Sequence, residues 1–74
     1  MLLPTPLDLR ELSPPEPLER VLDALDVLLD GQALRVLLSR EPNPLYGLLE
    51  RKGYQYEANW EADGCLVVVR RKPD

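Results

Sequence analysis

Histidine is absent from this chain, and cysteine occurs once, as Cys65, among 74 residues. The first absence removes the commonest general base near neutral pH and the commonest transition-metal ligand, which excludes histidine-based catalytic triads and ordinary zinc sites. The second excludes an internal disulfide framework. With no signal-peptide pattern at the N-terminus, a reducing cytoplasmic setting is expected. No apolar run approaches the length of a membrane span, so no membrane partner is expected. Basic residues are outnumbered by acidic ones, nine to thirteen, for a formal net charge of −4. The only basic run, Arg70-Arg71-Lys72, is too short to form a nucleic-acid stripe and reads as a solvated tail.

What is present fits a soluble globular domain: 45% of residues are hydrophobic and 30% charged, unlike a disordered chain. A single small domain of this length sits where a hydrophobic core alone gives marginal stability, so a partner or tight packing should contribute and a large buried cavity is not expected.

Leu7 and Leu9 alternate with Asp8 and Arg10, the pattern of a short half-buried strand. Leu18, Val21, Leu22, Leu25, Leu28 and Leu29 then recur at three and four residues, which predicts an amphipathic helix ending near Asp30-Gly31. The apolar run over 33–39 is bounded by Gly31 and Pro42 and reads as a covered central strand. A second helix is expected from Asn43-Pro44, with Asn43 as cap, Leu45, Leu48 and Leu49 as its buried stripe and Gly53 as its stop.

The remainder reads as a hairpin. Tyr54, Tyr56, Ala58 and Trp60 alternate with polar residues, and Asp63-Gly64 is a turn signal that would place Ala62 opposite Cys65 and Trp60 opposite Val67. Cys65, Val67 and Val69 then share the core face with the aromatic residues, leaving Leu66 and Val68 on the other. The order βαβαββ, without repeats, predicts an α/β (α+β) two-layer sandwich. Two helices should lie on one face of a four-stranded mixed sheet.

The start of the first helix is dense in proline: Pro14, Pro15 and Pro17 flank Glu16. With Pro14 as cap, the missing N–H groups fall where a helix has no internal acceptor to lose. Anion binding at helix N-termini relies on those N–H groups and on the macrodipole, so this start weakens an anion site.

These residues carry a resemblance. "LDLRELSPPEPLERVLDAL" resembles the opening of the TusA (SirA-like) sulfur-carrier family, where an Asp-x-Arg strand leads to Cys-Pro-x-Pro at the first helix. Asp8 and Arg10 match the Asp-x-Arg, Leu12 matches the loop leucine, and Pro15, Glu16 and Pro17 match Pro-x-Pro. The resemblance implies the same βαβαββ order over nearly the whole chain. It also implies that Pro14 stands where the family has its persulfide-bearing cysteine, whose thiolate the helix N-terminus favours. Together with Arg40, Glu41, Pro42, Pro44 and Leu45, this variant resembles a TusA-related branch of unknown function that lacks carrier chemistry.

Parallel first and second strands would bring their C-terminal ends to one edge, a common place for binding sites. That edge gathers Arg10, Glu11, Ser13, Pro14, Pro15, Glu16 and Pro17 from one loop with Arg40, Glu41, Asn43 and Tyr46 from the other. The two arginines could hold a carboxylate or phosphate, or pair with Asp8, Glu11 or Glu41 and fix the loops. The expected function is a non-catalytic binding or adaptor module that recognises a protein or a small anion there, without a cofactor or bound metal. The carboxylates Asp8, Glu11, Glu16 and Glu41 would suit only hard cations. The alternative is sulfur relay or redox chemistry through Cys65, which is expected on the sheet's inner face and hence inert.

Overall fold

The computed structural model describes residues 6–72 and contains six elements. They are β1 (Leu7–Asp8), α1 (Glu16–Asp26), β2 (Ala33–Leu38), α2 (Asn43–Lys52), β3 (Tyr54–Glu61) and β4 (Gly64–Arg71). The sheet order is β1-β2-β4-β3. β1 runs parallel to β2, while β4 is antiparallel to both β2 and β3. The expected two-layer βαβαββ sandwich with a mixed four-stranded sheet is what the chain forms. None of its helices is long and apolar enough to cross a membrane among the described residues.

The core forms between the sheet and the helices. β2 and β4 alternate buried with half-buried positions, so Leu34, Val36 and Leu38 join Cys65, Val67 and Val69 beneath Val21 and Leu25 of α1 and Leu45 and Leu49 of α2. The opposite parity, Arg35, Leu37, Leu66 and Val68, lies half-exposed on the face away from the helices, as the period-two reading required.

The structure departs from the sequence reading at several points. First, α1 ends at Asp26, four residues short of Asp30. Gln32 is the reason: its side chain accepts the Leu29 N–H at 2.8 Å and its own N–H donates to the Leu29 carbonyl at 3.1 Å. That closed turn around Gly31 competes with another helical turn, and Leu29 is left 66% exposed.

Second, the hairpin loop is Ala62-Asp63, not Asp63-Gly64. Glu61 pairs with Gly64, Trp60 with Cys65 and Ala58 with Val67. The shift is two positions along the ladder, an even number, so the facing of every side chain survives. Third, Trp60 is 61% exposed rather than core, because it lies on the outer strand. Fourth, Arg70 and Arg71 are part of β4, with Arg71 Nη1 3.5 Å from Asp30 Oδ1, so they are not a loose tail.

Both helices begin alike. The cap of α1 is Pro15, one residue later than expected, and the cap of α2 is Pro42, with Asn43 already helical and making no side-chain cap bond. Each helix thus starts Pro-x-Pro-Leu, at 15–18 and 42–45. In each, an Arg-Glu pair stands two and three residues beyond the preceding strand, Arg10-Glu11 after Asp8 and Arg40-Glu41 after Leu38. The chain therefore contains a short repeat that a search for long periods passes over.

Candidate functional site: a cleft between two proline-capped helix starts

Because β1 and β2 are parallel neighbours, the loops that follow them emerge side by side and enclose a cleft of about 570 Å³. Of the expected site residues, Arg10, Ser13, Pro14, Pro15, Pro17, Arg40 and Glu41 line it. Glu16, Asn43 and Tyr46 do not. Sequence reasoning missed the apolar lining: Leu12 and Leu18 are partly exposed there, above a buried base of Leu9, Val21, Leu38 and Leu45. The helical and strand periodicities that assign these leucines to the core are also the signal that could have placed them under the cleft.

The prolines explain why the cleft is poor in donors. At the start of α1, Pro15 and Pro17 have no N–H, and Glu16 N–H donates to the Ser13 carbonyl at 2.9 Å. Glu19 N–H already makes the first helical bond, to Pro15 at 3.2 Å. Of the orphan donors that a helix start usually presents, only the Leu18 N–H lacks a backbone acceptor among the described residues.

The two arginines differ in role. Arg10 is committed to the fold: its Nε and Nη2 donate to the two oxygens of Asp8 at 2.9 and 2.7 Å, and Nη1 donates to the Asp63 carbonyl at 3.2 Å. It thus ties the end of β1 to the β3–β4 turn in the bidentate geometry that guanidinium groups favour. Arg40 has no carboxylate within salt-bridge distance among the described residues and is exposed at the rim.

Arg10's hydrogen bonds hold the Asp8 carboxyl down at about 2, and Asp8 in turn raises the arginine. Because the folded pKa is depressed below the 3.8 of a free carboxyl, the contribution of this pair is present above that value and lost as pH falls toward 2. The difference in urea midpoint between the wild type and Asp8→Asn is therefore expected to be constant above about pH 5, to shrink through the acid range and to vanish only below the folded pKa. A pH-independent difference would show that the pair does not titrate as the geometry requires.

Tyr46 faces away from the cleft. Its ring stacks on Tyr56 at 4.6 Å and 2°, and its hydroxyl donates to Glu41 Oε2 at 3.4 Å. Burial, with the nearby Cys65 and Glu41 in support, pushes its hydroxyl up to about 12. Cys65 is fully buried. Burial raises its thiol, Glu41 raises it further, and the Tyr46 hydroxyl partly opposes them. The result is a packed thiol, not a thiolate nucleophile.

Among the described residues no three histidine, cysteine, aspartate or glutamate side chains converge as a metal site. No curated protein and no solved structure matches the chain. A family profile matches residues 6–72, which covers all six elements and both loops of the cleft. The chain belongs to that family, described as "Uncharacterized conserved protein (DUF2249)".

Proposed function

We propose that the chain is a non-catalytic binding module, a TusA-like scaffold without the carrier thiol, whose cleft takes an apolar segment of a partner protein. The observation that carries this reading is the cleft itself: Leu12, Leu18 and five prolines line it between two rigid helix starts, most of whose backbone donors are removed by proline or already bonded within the loops. Such a surface can be covered without stranding polar groups, and its prolines are fixed before binding, which lowers the cost of ordering.

Recognition of a small anion is less well supported. Arg10 already spends three of its N–H groups on Asp8 and Asp63, and Glu11 and Glu41 add negative charge to the lining. Sulfur relay through Cys65 is opposed by the burial and raised pKa of that thiol. A single protected cysteine fits a reducing, cytoplasmic setting.

Short peptides selected from a random display library against the immobilised chain should include apolar binders that shift the amide NMR signals of Leu12, Leu18, Ser39 and Glu41. Ser39→Trp, which places an indole at an exposed position of the lining, should weaken them by at least about tenfold. Inorganic phosphate is the contrasting probe. Saturable shifts with phosphate and none with any selected peptide would replace the protein-docking reading with anion binding.

A further inference from the structure

We propose that the outer edge of β3 pairs with the same edge of a second copy of this chain, antiparallel about a dyad at Ala58, to make one continuous eight-stranded sheet. β3 is eight residues long and pairs only with β4 among the described residues. It has no proline, no lysine and no bulge in its register to block edge pairing, and its only charges are the carboxylates Glu57 and Glu61. On it stands Trp60, a large apolar side chain that is mostly exposed.

The hydrogen-bonding phase is determined by the hairpin. A two-residue loop is closed by a hydrogen-bonded pair, here Glu61 and Gly64. At the other end, Lys72 N–H donates to the Gly53 carbonyl at 3.0 Å. Odd-numbered residues of β3 therefore point their backbone groups at β4, and Tyr54, Tyr56, Ala58 and Trp60 point theirs outward.

Overlap and charge then select the register: centring on Tyr56 pairs only residues 54–58, whereas centring on Ala58 pairs 55–61. Centring the pair on Glu57 sets two carboxylates directly opposite, and centring it on Asn59 sets Glu57 against Glu61. Both are unfavourable. Centring on Ala58 avoids this: Glu57 meets Asn59 of the second copy, Gln55 meets its Glu61, and Tyr56 meets its Trp60. All outward groups of Tyr56, Ala58 and Trp60 find partners. Each Trp60 comes beside a Tyr56 already stacked on Tyr46, giving an aromatic cluster on either side of the dyad. Arg70, next to Gln55 on β4, supplies a positive charge on the face where the second copy's Glu61 lies. Glu57 and that Glu61 remain diagonal neighbours about 7 Å apart, a repulsion that opposes the Arg70 attraction.

Sedimentation velocity from about 1 μM to about 1 mM should show a monomer–dimer equilibrium. The emission of the only tryptophan should shift to the blue as dimer forms. Ala58→Lys places two ammonium groups face to face at an exposed position; it should retain the circular dichroism spectrum and raise the dissociation constant at least about tenfold. Under mild oxidation Ala58→Cys should cross-link, since residues in a hydrogen-bonded pair lie about 5.5 Å apart at Cα. Gln55→Cys, well off the dyad, should not. A monomer throughout the range overturns the proposal. So does a dimer that survives Ala58→Lys with unchanged Trp60 emission, or one in which Gln55→Cys cross-links in preference to Ala58→Cys.

Discussion

Replacing Gly64 with alanine is expected to destabilise the domain by about 3 kcal/mol, read as a fall in the urea midpoint. Gly64 adopts φ +147°, a conformation that side-chain-bearing residues rarely take. A Cβ built there would lie 2.5 Å from the Leu38 carbonyl oxygen, a backbone atom of the neighbouring strand, with Arg10 Cδ at 3.5 Å. The carbonyl cannot retreat without disturbing the β2–β4 ladder, nor Arg10 without loosening its bonds to Asp8 and Asp63. A domain of this length has roughly 4 to 11 kcal/mol of stability in total, so the variant should sit close to unfolding. Gly31→Ala is the control: it too has positive φ, +84°, but nothing lies within 4 Å of its Cβ position. It should cost about 1 kcal/mol, from backbone conformation alone. Equal losses at the two sites would show that the close approach at Gly64 has no energetic weight.

Truncating Leu49 to alanine should cost about 3 to 4 kcal/mol. Leu49 is the largest of the completely buried side chains and holds α2 against the sheet. Its loss removes apolar contact and leaves a cavity between elements too constrained to collapse. Leu48, one position along and only half-buried, should lose about 1 kcal/mol on the same change. The readout is a shift in urea midpoint at unchanged slope. A loss below about 1 kcal/mol at Leu49 would mean that α2 is not docked as described.

Side-chain periodicity made the elements legible, because periods of 3.6 and 2 translate directly into faces: Leu45 and Leu49 of α2 and the Cys65-Val67-Val69 row lie where their spacing put them, whereas Leu48, expected in the same stripe, is only half-buried. Positions that depend on competition between local interactions were not legible in the same way. Asp63-Gly64 is a strong turn signal, yet the chain uses Gly64 as the first residue of β4, because only glycine can pass so close to the Leu38 carbonyl. Leu29 continues the leucine stripe, yet Gln32 closes a turn over it. Trp60 has the parity of a core residue, but parity does not reveal which strand ends up outermost. At the candidate site, the prolines and arginines of the rim were visible as a motif. That Arg10 braces the hairpin turn across the sheet depends on a contact with Asp63, 53 residues away, which no local pattern encodes.

The order β1-β2-β4-β3 puts the last of the four strands to leave the ribosome between two that are already made. Until residues 64–71 emerge, β2 has its partner on one side only and β3 has none, so the nascent chain must hold two open edges one strand-width apart. Closure of this gap is a late, non-local event that should dominate the folding time. A premature stop or a proteolytic cut that removed β4 would not trim the domain at its margin; it would withdraw the plank that joins its two halves.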